Sequence, residues 1–497
     1  MMALSQTPAT NVADLLGEFT DTSNCPLISI TGIALDSRLV STGDLFIAVK
    51  GTQTDGTEYI DQAIEKGAVA ILLEQGVVAP EAAVPVITVP KLSEYISDIA
   101  GVFYGQPSHQ MPVTAITGTN GKTTCSQLLA QLFTLLDEPT GFIGTLGYGL
   151  SGNQPTASGL TTPDAISVQR ILAEMRDAGA KRIAIEVSSH SLVQRRVAGL
   201  QIDTAVFTNL TRDHLDYHCD LNSYAAAKAR LFAMAGLKHA VINLDDNVGR
   251  LILANLDPLV NGISYSVENH SADIHCDRIL INASGIDAEI VTPWGKGRLK
   301  SSLLGKFNLA NLLAVIGAAG VQGFALDKIL QAATALTAVD GRMELVDASA
   351  RPAVVIDYAH TPDALEKALQ ALRRHCQGKL WVVFGCGGDR DIGKRAEMGK
   401  VADHRADNII VTSDNPRSES PEKIIDQVLL GITRDVSAVV DRRDAIRTAI
   451  TDAQPDDVIL IAGKGHEDYQ ILGAERLPFS DQGEARLALR SREGGDQ

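Results

Sequence analysis

Residues 111–124 read Met-Pro-Val-Thr-Ala-Ile-Thr-Gly-Thr-Asn-Gly-Lys-Thr-Thr, and this stretch decides the fold class. The apolar run 111–116 predicts a buried strand, and the pattern over 125–136 predicts a helix. Between them Gly118 and Gly121 let the backbone turn tightly with its amides facing inward, so that Thr119, Asn120, Gly121, Thr123 and Thr124 can cradle phosphate at a helix start. Lys122 brings a cation to the β- and γ-phosphates, and Thr123 offers a hydroxyl to Mg2+. Ile116 stands where the general phosphate-loop pattern has its first glycine, so a shortened variant of that loop is expected. A strand, a glycine turn and a helix in that order predict an α/β protein that holds ATP.

At 497 residues the chain exceeds one ordinary core, and its 45% hydrophobic and 21% charged content is globular. A net charge of -16 speaks against nucleic acid and anionic membrane as partners, because both demand a basic footprint. The six cysteines lack C-x-x-C spacing, so neither a zinc site nor a disulfide framework is expected. With no secretory pattern at the amino terminus and no apolar run long enough to span a bilayer, a cytoplasmic monomer without membrane insertion is expected.

Working outward from the loop, residues 1–107 alternate short apolar runs (44–49, 69–74, 84–89) with helical stretches, as in a small α/β unit. The polar, proline-containing stretch 105–110 marks a boundary. Residues 108–339 carry buried-strand runs at 182–187, 204–209 and 239–243, which predicts a mostly parallel sheet with the nucleotide at the carboxyl ends of its strands. A third, Rossmann-like alternation fills 340–497, with strands at 353–358, 380–385, 408–413 and 457–463.

The strand at 182–187 delivers Glu186 and then Ser188-Ser189-His190. The strand at 204–209 runs into Thr-Arg-Asp-His-Leu-Asp-Tyr-His (211–218), bringing Asp213, His214, Asp216 and His218 to the same end of the sheet. Carboxylate and imidazole beside a triphosphate suit Mg2+. Lys228 lies in a helix of alanine and apolar residues, where an unpaired ammonium is costly to bury, unless its stem snorkels.

In their order along the chain, TGTNGKTT, EVSSH, TNLTRDHLDYH, the lysine helix, GKFNLANLLA, GRMELV and DYAHTPDAL resemble the ATP-dependent Mur ligases of peptidoglycan synthesis. The resemblance implies that CO2 carbamylates Lys228, so that it joins Thr123, Glu186 and His214 around two Mg2+ ions. It also implies that Asn308, Arg342 and Asp357 reach toward ATP, with Lys122 and Arg342 cancelling charge during catalysis.

Within the family the third unit is most similar to the members that add a diamino acid to UDP-N-acetylmuramoyl-L-alanyl-D-glutamate. Three loops carry this likeness: GCGGDRD with Arg390, Asp414-Asn415-Pro416-Arg417, and AGKGHEDYQ with Gly463 and Glu467. Meso-diaminopimelate carries one carboxylate more than L-lysine, and Arg417 can grip it as a bidentate fork while Glu467 and the Gly463 carbonyl take the distal ammonium. On the acceptor side the resemblance assigns Leu35, Ser37, Thr52, Gln53 and Thr54 to the UDP part, and Thr161, Thr162, Ser188, Gln194 and Arg196 to the muramoyl and glutamyl parts. The activity implied is an amide ligation in which ATP converts the γ-carboxylate to an acyl phosphate that the amine then attacks. A lysine-adding ligase of the same family and a folylpolyglutamate synthase are the competing readings, which the Asp414–Arg417 segment and the muramoyl-side motifs oppose.

Overall fold

A computed structural model describes residues 9–23, 25–51, 54–78, 81–282, 285–347 and 352–494, which form two compact units, 1–263 and 264–497. In the first, Gly32–Ala34, Asp44–Ala48, Ala70–Glu74 and Val86–Val89 form a parallel four-stranded sheet in that order. Every residue of Asp44–Ala48 is buried, as expected of a parallel strand covered on both faces. The helix Leu92–Phe103 lays Leu92, Ile99, Ala100 and Phe103 into the same core as Leu45, Ile47 and Leu72.

The larger sheet of this unit places five parallel strands in the order His239–Asn243, Thr204–Phe207, Val113–Thr117, Arg182–Glu186, Thr140–Gly144. Gly147–Leu150 adds antiparallel at one edge, and Asn261–Tyr265 at the other carries the chain toward the second unit. From Val113–Thr117 the chain first visits strands on one side and then crosses to Thr204–Phe207 on the other. The order of strands therefore reverses at the strand that feeds the glycine loop, which opens a crevice at its carboxyl end.

In the second unit His275–Asn282, Gly285–Thr292 and Gly295–Ser301 form an antiparallel meander. The sequence reading, which carried a mostly parallel alternation on to residue 339, did not anticipate this sheet. Its period-2 mixing of charged residues such as Asp287 and Arg298 with Ile286, Ala288 and Leu299 is the signature of strands buried on one face only. The six-stranded sheet that follows runs Glu344–Leu345, Ala353–Asp357, Val458–Ala462, Leu380–Phe384, Asn408–Thr412, Ser437–Val439, all parallel except the first. Arg442 and Asp481, both without side-chain exposure, join the closing helix Asp481–Gly494 to the helix Arg442–Asp452 through paired bonds of 2.7 Å, and Arg442 also donates to Ala462 O of this sheet at 3.0 Å. Among the described residues no helix is long and apolar enough to cross a membrane.

Gly118 follows Val113–Thr117 at φ 153°, and a Cβ built on it would lie 1.8 Å from Thr208 Oγ1 and 3.1 Å from the Asn209 amide. Gly118→Ala is expected to lower the unfolding free energy by about 1–3 kcal/mol, measured in urea. Gly118→Ala with Thr208→Ala should recover more than half of that loss; no recovery would place the strain elsewhere.

Candidate active site

The loop after Val113–Thr117 is tied to its neighbour strand from both sides. Thr119 N donates to Asn209 O at 2.8 Å and Asn120 N to Asn209 Oδ1 at 3.0 Å, while Thr208 Oγ1 donates to Asn120 O at 2.6 Å. Gly121, at φ 88°, starts the helix Lys122–Leu135, so its backbone amides open at the loop. Lys122 Nζ folds back to donate to the carbonyls of Gly118 at 2.9 Å and Thr119 at 2.8 Å, which holds its charge over the cradle.

Glu186 ends the neighbouring strand fully buried. Thr123 Oγ1 donates to its Oε2 at 3.0 Å, Thr145 N to its Oε1 at 2.8 Å and Thr145 Oγ1 to its Oε2 at 3.1 Å. Thr145 Oγ1 also lies 3.1 Å from Thr161 Oγ1, so the loop helix, the carboxylate and the Thr161-Thr162 pair form one network. Nothing in the sequence motifs marked Thr145; it sits at a strand end whose contact with Glu186 arises only from sheet order.

Lys228 is 1% exposed, and its Nζ donates to Gly118 O at 2.7 Å. Burial, with the Lys122 charge second, holds its amine well below the ordinary lysine value, against a smaller opposing pull from Asp213. The Tyr224 ring lies 4.5 Å from that Nζ, and Thr119 Oγ1 donates to the Tyr224 hydroxyl at 3.2 Å. His214, at φ 53°, meets this group through the Tyr224 ring at 6.1 Å and the His190 ring at 5.0 Å, and its Nε2 is 3.5 Å from Asp213 Oδ2. Thus Thr123 and Glu186 are in direct contact, Lys228 bonds the loop at Gly118 O, and His214 lies beside the Tyr224 ring. His218 is buried, with Nε2 2.8 Å from Ser189 Oγ.

The residues expected on the acceptor side also form a network. Thr162 Oγ1 donates to Glu186 O at 2.8 Å and accepts from Ser188 N at 3.1 Å. Arg196 Nη1 donates to Thr162 O at 2.6 Å, its Nη2 to Gln194 Oε1 at 2.6 Å, and Gln194 Nε2 to Tyr217 OH at 3.2 Å. At the N-terminal sheet Ser37 is buried and spends its hydroxyl on Gln62 Oε1 at 2.6 Å, whereas Leu35 packs at the core edge and Thr54 is exposed. Thr52 and Gln53 lie outside the described residues.

In the second unit the Arg342 guanidinium stacks 4.5 Å from the Tyr358 ring centroid, and Tyr358 faces the His466 ring at 5.3 Å. Asp357 Oδ2 accepts from Met343 N at 2.8 Å; burial pushes its carboxyl up to about 6, although Arg342 pulls the other way. Burial and Arg342 together depress His466 to about 4, which leaves it neutral. Asn308 is buried and donates to Leu304 O at 2.8 Å while accepting from Asn311 Nδ2 at 3.1 Å.

The three loops singled out in the third alternation do converge. Arg417, at φ 51°, donates from Nη1 to Gly388 O at 2.8 Å, and its backbone pairs with Leu472 in a bridge held by Arg417 N to Ile471 O at 3.1 Å. A Cβ on Gly388 would lie 1.9 Å from Pro416 O, so only glycine permits these loops to meet. Asn415 Nδ2 donates to Glu467 Oε2 at 2.8 Å, and Gly463 approaches Asp414 so closely that a Cβ would stand 2.5 Å from Asp414 Oδ2. Arg390 is exposed beside the neighbouring Gly387, with Nη1 donating to Asp389 O at 3.0 Å. The motif reading missed Lys464, which has no exposure and donates to Asn415 Oδ1 at 3.0 Å and Glu467 Oε2 at 3.1 Å. It also missed the buried Arg395, whose forked bonds to Glu419 hold that carboxyl down to about 2.

Family models described as the Mur ligase family catalytic domain, the Mur ligase middle domain and the Mur ligase glutamate ligase domain match residues 29–104, 116–319 and 341–465. A UDP-N-acetylmuramoyl-L-alanyl-D-glutamate--2,6-diaminopimelate ligase of Pseudomonas putida is 48% identical over 95% of this chain and 97% of its own. The protein of the same name from Coxiella burnetii is 46% identical over 95% and 99%. A solved structure of such a ligase, 36% identical, superposes with a TM-score of 0.73 over 98% of this chain and 99% of its own. With the phosphate loop, the buried carboxylate and the three converging loops all in place, the chain belongs to the Mur ligase family of ATP-dependent amide ligases.

Proposed function

We propose that this chain joins meso-2,6-diaminopimelate to the D-glutamyl γ-carboxylate of UDP-N-acetylmuramoyl-L-alanyl-D-glutamate, converting ATP to ADP and phosphate, as a cytoplasmic monomer. The observation that carries the choice of amino acid is the convergence of Arg417, Asn415 and Glu467. The Arg417 guanidinium has five N–H donors and directs Nη1 at backbone carbonyls, which orients the fork. Glu467 Oε2 is fixed by Asn415 and Lys464, which orients that carboxylate toward an ammonium. A ligand with a carboxylate and an ammonium at its far end matches this pair; lysine matches only half of it. Support also comes from the relatives' printed names.

The proposed modules are 1–107 for the uridine-nucleotide substrate, 108–339 for ATP and 340–497 for the amino acid, and the three family matches each fall inside one of them. Leu35, Ser37, Thr52, Gln53 and Thr54 hold the UDP part, and Thr161, Thr162, Ser188, Gln194 and Arg196 hold the sugar and peptide. Arg390, Asp414, Asn415, Pro416, Arg417, Gly463 and Glu467 hold diaminopimelate.

Amide formation from a carboxylate is uphill in water, so the acid is first activated. Its γ-carboxylate oxygen attacks the γ-phosphorus, ADP leaves, and the amine then attacks the acyl carbon and expels phosphate. Two anions must approach each other for the first step. Lys122, held over the loop, and Arg342, held flat on Tyr358, lower that repulsion, and with Gly118, Thr119, Asn120, Gly121, Thr123, Thr124, Asn308 and Asp357 they bind the nucleotide. Thr123, Glu186, His214 and Lys228 as a carbamate fit two Mg2+ ions, being oxygen donors with one imidazole around a buried carboxylate. When bound, the ions neutralise phosphate charge. The buried amine beside the loop, on adding CO2 and releasing a proton, would become an anionic oxygen donor whose charge bound Mg2+ would offset.

Phosphate release measured with the muramoyl dipeptide nucleotide should be high with diaminopimelate and about 100-fold lower in kcat/KM with lysine. Arg417→Ala should erase most of that ratio. A wild-type preference for lysine, or a ratio unchanged in Arg417→Ala, would refute the assignment. Lys228→Ala should lose at least about 1,000-fold in kcat and regain activity with added formate or acetate. Failure of rescue, together with an unmodified lysine by mass spectrometry of the native enzyme, would defeat the carbamate.

A further inference from the structure

The antiparallel meander of the second unit carries a group of side chains that the ligase reaction does not use. His270 Nδ1 is 3.8 Å from Asp277 Oδ1 and His275 Nε2 is 3.6 Å from the same oxygen; all three donor atoms lie within 4.8 Å of one another. These separations are too long for hydrogen bonds. Four-coordinate zinc with bonds of about 2.0–2.1 Å spaces its ligand atoms by about 3.3 Å, so the two histidine–aspartate separations close with a shift of a few tenths of an ångström, and rotation of the exposed His270 side chain brings in the third.

Two contacts prepare the group for a cation. His275 Nδ1 is 2.8 Å from Ala272 O. A carbonyl only accepts, so Nδ1 carries the hydrogen, and in the neutral ring Nε2 turns its lone pair toward Asp277; this is the outer bond that orients a metal-binding imidazole. Lys296 Nζ takes the other carboxylate oxygen, Asp277 Oδ2, at 3.1 Å, which leaves Oδ1 facing the two imidazoles. The turn bearing His270 is itself pinned, since Ser266 Oγ accepts from Glu268 N at 3.0 Å and Asn269 N at 2.6 Å.

We propose that His270, His275 and Asp277 form a three-ligand site for a divalent first-row transition ion, with Zn2+ the best match to two imidazoles and one carboxylate. Mg2+ and Ca2+ are disfavoured there because they select oxygen donors. The ion would staple the turn at His270 to the strand His275–Asn282, leaving at least one position for water.

The test is calorimetric titration of ZnCl2 into the full chain stripped with EDTA, without nucleotide, for the wild type, His270→Ala and Asp277→Asn. Because the His270 side chain is 66% exposed, its replacement leaves folding intact, checked by thermal melting of the stripped proteins. The wild type should bind one more equivalent than either variant, or bind that equivalent about 100-fold more tightly. Ligase activity with Mg2+ should be equal in wild type and His270→Ala. Equal zinc stoichiometry and affinity in all three proteins, no binding included, would overturn the site.

Discussion

Glu186 has no solvent exposure, and both of its carboxylate oxygens are held by donors from two other segments of the sheet. A buried carboxylate is expensive unless it is fully bonded, so the strand end, the first turn of Lys122–Leu135 and the segment after Thr140–Gly144 must hold their relative positions. That constraint fixes the glycine loop from one flank. Asn209 and Thr208 fix it from the other, and Gly118 is the residue that lets the backbones approach closely enough for both to act.

In each unit the cations singled out above have restricted alternatives. Lys122 lies back on loop carbonyls, Arg342 is stacked on Tyr358, and Lys228 is buried under Tyr224 and Gly118. Side chains held in place in this way are what make preorganised electrostatics effective. In the second unit the loops after Leu380–Phe384, Asn408–Thr412 and Val458–Ala462 converge, with the buried Lys464 bonded to Asn415 and the buried Arg395 to Gly387 O.

Much of this was legible in the residue order. The strands at 113–117, 182–186 and 204–207 were expected within a residue or two because buried parallel strands read as unbroken apolar runs. Asn415, Arg417 and Glu467 were picked out by the family resemblance, which the clustering of turn residues and charges at strand ends supported. The meander over 275–301 was not, since its one-sided burial interrupts the apolar signal with Arg278, Asp287 and Lys296. Thr145, Lys464 and Tyr358 were missed for another reason: each matters through a partner distant in sequence, and only sheet order reveals the pairing. Ser37 shows the converse, a motif position whose hydroxyl is spent within its own unit on Gln62.

The central claim is that an oxygen of the acid substrate passes through a phosphoryl bond before the amide forms. The direct measurement is mass spectrometry of the phosphate released when the D-glutamyl γ-carboxylate is enriched in oxygen-18. One labelled oxygen per phosphate, formed only when the acid substrate is present, is the predicted result. Phosphate carrying no label at full turnover would contradict an acyl phosphate and the account built upon it.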